Sequence, residues 1–146
     1  MATAKSTANA VWEGSLMEGG GKVSAASGVF SDLAVSWSAR TERPTPTTSP
    51  EELLASAHAA CYSMALSNGL SKAGTPPTKL EVSATVTFAQ QEVGWKVDSS
   101  ALTVKGTVPG ATAESFQEAA EAAKDGCPIS KAITGNVELS VEATLA

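Results

Sequence analysis

Ser49-Pro50-Glu51-Glu52-Leu53-Leu54-Ala55-Ser56-Ala57-His58-Ala59-Ala60-Cys61-Tyr62-Ser63-Met64-Ala65-Leu66 is the stretch whose reading decides the fold. Pro50 fits the first position of a helix, where its missing N–H removes nothing. Proline also keeps the preceding residue out of the α region, so Ser49 is extended and free to cap. Glu52 stands three residues after Ser49 and completes a Ser-x-x-Glu capping box. The same pattern predicts the far end. Lys72 falls in the last turn, Gly74 can adopt the left-handed cap, and Pro76-Pro77 forbids continuation. The helix therefore spans about residues 49–73.

Between Leu53 and Ser71 this helix carries no charge apart from His58 when protonated, and alanine and serine occupy several of its faces. A helix so apolar all round is usually buried. One chain of 146 residues cannot easily cover it on every side, and a second copy would.

Outward from the helix, the flanking sequence reads mostly as strands. Val11–Leu16 and Val23–Ser27 suggest a pair, with residues 1–9 loose before it. Leu33, Val35 and Trp37 alternate with Ala34, Ser36 and Ser38, the period-two mark of a half-buried strand that ends in Arg40. After the helix, Leu80 to Phe88 alternate in the same way. Trp95–Val97 and Leu102–Val104 suggest two further strands, completing a meander. Thr112 caps a second helix through Phe116 and Ala123 that stops at Gly126. Cys127-Pro128 opens a short helix, and Val137 to Leu145 is a last strand. The expected order, β-β-β-α-β-β-β-α-α-β, places strand runs between helices. The fold class is α+β, mostly antiparallel, in one domain over residues 1–146.

Hydrophobic residues are 42%, charged residues 17% and aromatics only 5%, so the core must pack small side chains closely. The net charge of −5 and the lack of any Lys/Arg cluster argue against nucleic-acid partners. No stretch is long enough to span a bilayer, and Met1 to Ala8 has no apolar run, so the expected location is the cytosol and no membrane partner is implied.

Two cysteines and one histidine carry the candidate chemistry. A nucleophilic cysteine must be a thiolate. Cys61 lies three turns into its helix, beyond the reach of the dipole, and burial would raise its pKa further. Its activation needs a cation from elsewhere, and Arg40 is the outstanding candidate because arginine stays charged when buried. Arg43, in the proline loop, is expected to be solvated. Cys127 follows Gly126 and precedes Pro128, where its sulfur can face helix N–H groups. The two cysteines are 66 positions apart, which is neither a Cys-x-x-Cys motif nor a zinc knuckle, and no metal site is expected. Glu52 is accounted for by capping, whereas Glu51 is not. Glu51 is ten residues before Cys61, about 15 Å along one helix at 1.5 Å per residue, so the two cannot touch within it. His58, one turn before Cys61, is expected as a hydrogen-bonded core or interface residue. A Cys–His pair is the second choice.

These residues carry a resemblance. Pro50 to Leu66, with Gly126-Cys127-Pro128-Ile129-Ser130-Lys131, resembles the OsmC/Ohr family (osmotically inducible protein C-like) of hydroperoxide-reducing proteins. Trp12-Glu13-Gly14 and the Ser24 to Gly28 turn resemble its OsmC branch. The resemblance implies an intertwined homodimer with two central cysteine-bearing helices. It implies Cys61 as the peroxidatic cysteine and Cys127 as the resolving one. It also implies Arg40 as the residue that activates the thiolate and Glu51 as the residue that holds that arginine. It implies organic hydroperoxides as substrates, an external dithiol as reductant, and no metal or haem. Leu54, Tyr62 and Met64 are candidate apolar lining. A slow or non-catalytic redox-sensing dimer on the same fold is the alternative, and a zinc-thiol site a distant third.

Overall fold

Short-range signals set the ends of most elements in the computed structural model, which describes residues 2–146. The order is β1 (Ala8–Glu13), β2 (Gly20–Ala25), β3 (Leu33–Val35), α1 (Trp37–Thr41), α2 (Pro50–Lys72), β4 (Lys79–Gln91), β5 (Gly94–Thr107), α3 (Ala113–Gly126), α4 (Pro128–Ile133) and β6 (Glu138–Leu145). The α+β class holds, with two three-stranded sheets. The chain divides into two compact units, one ending at Pro50 and the other running from Glu51 to Ala146.

The first unit is an antiparallel sheet in the order β1-β2-β3, followed by α1 and a loop. Gly21 is required by close packing: a Cβ there would lie 2.6 Å from the Val11 carbonyl oxygen and 2.9 Å from the Trp12 ring. Two expectations change here. Residues 8 and 9 are already in β1 rather than loose. The third strand stops at Val35, and Trp37 and Arg40 lie in a helix. Ser36 ends the strand: its backbone is extended while its hydroxyl accepts from the Ala39 N–H at 3.1 Å, an N-cap that an alternation count reads as one more strand residue. Arg43 is not merely solvated, since its guanidinium donates to Ser49 Oγ at 2.8 Å.

The second unit stacks helices on the sheet β4-β5-β6. β4 and β5 form one long antiparallel hairpin with a two-residue turn, and β6 runs parallel to β5. The expected three-strand meander is therefore two strands, β5 being continuous from Gly94 to Thr107. Asp98-Ser99-Ser100 has the composition of a turn, but Ser100 pairs with Val86 on one side and Leu139 on the other. Its side chain falls in line with Leu102, Val104 and Gly106 on the buried face, following the two-residue period.

α2 starts at Pro50 and ends as its sequence dictates, with Gly74 at φ +85° and the Thr75 N–H returning to the Leu70 carbonyl at 3.0 Å. α3 carries a reciprocal cap between Thr112 and Ser115. The core joins Tyr62, Leu66 and Leu70 of α2 to Leu102 and Val104 of β5, Val141 of β6, and Phe116 and Ala120 of α3. Phe116 rests on Gly106, where a Cβ would stand 2.5 Å from its Cζ. α2 is not enclosed on all sides in the single chain. His58, Tyr62, Leu66 and Leu70 are buried, while Ala57, Ala60, Met64 and Asn68 form an open face at helical spacing.

Candidate active site

Cys127 is fixed by two helices at once. It is the C-cap of α3, its N–H donating to the Ala123 carbonyl at 2.9 Å, and the N-cap of α4, its carbonyl accepting from the Lys131 N–H at 3.0 Å. Its side chain is fully buried. The thiol lies close enough to Cys61 for each to shift the other's acidity, and the two are not joined by a disulfide. Long-range folding thus joins two residues whose separation in sequence carries no motif.

Their acidities diverge. Burial pushes the Cys61 thiol up; Cys127 pushes it further by accepting its hydrogen bond and by its charge, and the Ile129 amide offsets this only in part. Burial also raises Cys127 and is the largest single influence on it. The Ser130 amide, the Cys61 thiol, the Ser130 hydroxyl and the Ile129 amide together outweigh burial and bring Cys127 below its ordinary value. The amides face the sulfur without closing a strict capping bond. Within this unit, then, Cys127 is the easier sulfur to ionise. Burial adding to the Cys61 pKa is the direction expected for a cysteine three turns into its helix.

His58 is fully buried, with Nδ1 2.7 Å from Ser100 Oγ and Nε2 2.8 Å from Ser130 Oγ. Both ring nitrogens are occupied by hydroxyls, so no direct Cys61–His58 pair forms, and the hydrogen-bonded core reading is the one observed. Burial lowers the His58 pKa, which favours the neutral ring. Ser100 and Ser130, both fully buried, are the site residues that the sequence reasoning missed. The signal was available for each: Ser100 shares a strand face with Leu102 and Val104, and Ser130 is three residues after the cap residue Cys127. Among the described residues no three His, Cys, Asp or Glu side chains gather as metal ligands.

Cys61 opens onto a groove of about 890 Å³ between α2 and α3, whose apolar walls include Met64, Ala65, Ala119, Ala122 and Pro128. Met64 borders it. Tyr62 does not: it is wholly buried in the core, and its hydroxyl donates to the Ala120 carbonyl at 3.0 Å. An aromatic residue next to the cysteine is carried by helical rotation into the protein interior.

Glu51, in the first turn of α2, is 1% exposed, while its neighbour Glu52 is exposed. Arg40 belongs to the first unit. It lines a cavity of about 390 Å³ with Trp12, Leu16, Val35, Trp37 and Pro50, and its guanidinium carbon lies 5.8 Å from the Trp37 ring centroid.

The model of the family described as OsmC-like protein matches residues 42–142, a span that includes Glu51 and both cysteines. The chain belongs to the OsmC-like family. It is 37% identical over 131 residues to peroxiredoxin OsmC of Escherichia coli strain K12, covering 90% of this chain and 91% of that one. It is 31% identical over 113 residues to the organic hydroperoxide resistance protein OhrA of Bacillus subtilis strain 168, covering 76% and 77% of the two chains. Among solved structures, the organic hydroperoxide resistance protein OhrB of Bacillus subtilis matches with a TM-score of 0.74 at 29% identity, over 94% of this chain and 98% of that one. Among the described residues no helix of this family member is long and apolar enough to cross a membrane.

Proposed function

We propose that this OsmC-like protein is a cysteine-based peroxidase that reduces organic hydroperoxides, and hydrogen peroxide more weakly, with Cys61 as the peroxidatic and Cys127 as the resolving cysteine. The observation that carries this reading is the closeness of the two thiols, near enough to act on each other's acidity, one fully buried and the other lining a groove with apolar walls. The Cys61 thiolate attacks the terminal peroxide oxygen, the O–O bond breaks, and the departing oxygen takes a proton to become alcohol or water. Cys61 is left as a sulfenic acid. Cys127 then attacks that sulfur, and the S–O bond is exchanged for a disulfide. An external dithiol restores both thiols by exchange. Cys61 needs help to ionise, and Arg40 is the proposed source of positive charge, with Glu51 as the carboxylate that orients it. The open face of α2, uncharged along Ala57, Ala60 and Met64, supports a second copy of the chain as its cover.

The decisive assay is consumption of cumene hydroperoxide with dithiothreitol as reductant. The wild type is expected to turn over and Cys61→Ser to be inactive; equal consumption by the two removes the enzyme reading. The elevated Cys61 pKa favours a second reading, a sensor that is oxidised once and slowly. A single stoichiometric burst with no turnover in excess dithiothreitol would select it.

A further inference from the structure

The buried site poses a proton problem. While Cys61 is ionised, Cys127 keeps its proton, because two adjacent thiolates repel each other. Once Cys61 has become a neutral sulfenic acid, Cys127 must lose that proton to attack. Cys127 is fully buried, so bulk water cannot collect it. A row of polar side chains leads away from the sulfur. Cys127 and Ser130 are the N-cap and third residue of α4, positions whose side chains meet across the first turn. The Ser130 hydroxyl is near enough to Cys127 to help lower its pKa. Beyond it lie His58 Nε2 at 2.8 Å from Ser130 Oγ and Ser100 Oγ at 2.7 Å from Nδ1, all fully buried.

We propose that Ser130 and His58 form the proton exit of Cys127, working as positioning residues for disulfide closure. This rests on the assignment of Cys127 as the resolving cysteine. The Cys127 S–H donates to Ser130 Oγ while the Ser130 O–H donates to His58 Nε2. Moving both protons one place leaves a Cys127 thiolate and a His58 imidazolium whose Nδ1–H is held by Ser100. The thiolate attacks the Cys61 sulfenic sulfur, the S–S bond forms and the S–O bond breaks. The departing hydroxide takes a proton to become water, and His58 returns to neutral. The Cys127 sulfur is oxidised by one electron and the Cys61 sulfur reduced by one. Burial keeps His58 neutral at rest, so Nε2 is free to accept. The neighbouring hydroxyls explain why a base is buried there with both nitrogens satisfied.

The test is rapid-quench mass spectrometry after one equivalent of cumene hydroperoxide, following Cys61 sulfenic acid and the Cys61–Cys127 disulfide separately. Ser130→Ala is expected to slow closure by about 10²-fold, a general-base-sized effect, while sulfenic acid forms at nearly the wild-type rate. Ser130→Thr, which keeps the hydroxyl, is expected to restore closure. His58→Asn keeps hydrogen-bonding groups but no basic nitrogen and is expected to behave as Ser130→Ala. Closure at the wild-type rate in Ser130→Ala, or equal slowing in Ser130→Ala and Ser130→Thr, overturns the relay. Failure of the wild type to form any Cys61–Cys127 disulfide overturns instead the assignment of Cys127 beneath it. Should His58→Asn fail to fold, the Ser130 pair and the solvent deuterium effect on wild-type closure, expected to vanish in Ser130→Ala, still decide.

Discussion

Cys61 and Cys127 are adjacent sulfurs whose acidities move in opposite directions, Cys61 upward and Cys127 downward. The shared hydrogen bond acts on both: it stabilises the proton on Cys61 and the charge on Cys127. Cys127→Ala removes that acceptor and its charge from beside Cys61, leaving burial as the remaining upward influence. The Cys61 titration is therefore expected to move to lower pH in this variant. Thiolate ultraviolet absorbance, or the pH profile of alkylation by iodoacetamide, measures it. An unchanged or higher midpoint would show that the two sulfurs do not communicate.

His58 links the site to stability. It is the only histidine in the chain, and burial holds its folded pKa below 6.5. Unfolding therefore binds a proton at His58 that the folded protein lacks, and the fold gains stability as pH rises. That contribution is fully present above about 6.5 and is lost as pH falls through the lower folded value. For one group the slope is at most about 1.4 kcal/mol per pH unit. Urea unfolding of wild type and His58→Asn across this range is expected to show a shallower acid loss in the variant. Parallel curves would mean that His58 titrates alike in both states.

These residues also mark how far the sequence could be read. The ends of α2 are written in neighbouring residues, Pro50 before and Gly74 after, so short-range conformational preference was enough. The alternation of Leu33, Val35 and Trp37 predicts a strand reaching Arg40, although Ser36 caps a helix there. Alternation measures burial period and cannot register one hydroxyl turning back on the Ala39 amide. The polar Asp98-Ser99-Ser100 reads as a break in β5, yet Ser100 occupies a core position as the partner of His58. A buried histidine requires partners for both nitrogens, and here they come from positions 42 and 72 residues away. The meeting of Cys61 with Cys127 is similarly long-range and came from family resemblance, not from spacing.

The Gly106–Phe116 contact gives a packing prediction outside the chemistry. Gly106→Ala would set a methyl carbon 2.5 Å from Phe116 Cζ and 2.7 Å from Cε2. Overpacking of this kind costs about 1–3 kcal/mol. Phe116→Leu shortens the ring and is expected to recover part of that loss in the double variant, despite destabilising the protein alone. Denaturant midpoints for the four members of the cycle check it. Additive losses would place the strain elsewhere.

The open face of α2 bears on assembly. Ala57, Ala60, Met64 and Asn68 follow one another at helical spacing, and Met64 is 66% exposed. Small residues permit close helix approach, and Met64 supplies apolar area to the contact. Ala60→Arg places a long charged side chain in the middle of this face. If a second copy covers it, the variant must either strand that charge in the interface or separate the subunits. Sedimentation velocity is expected to show the wild type as a dimer and Ala60→Arg shifted toward monomer, with peroxide turnover falling in parallel. Because Ala60 is exposed in the single chain, the circular dichroism of the variant should remain folded. A wild-type monomer, or an unaltered dimer in Ala60→Arg, would show that this face is not the subunit contact.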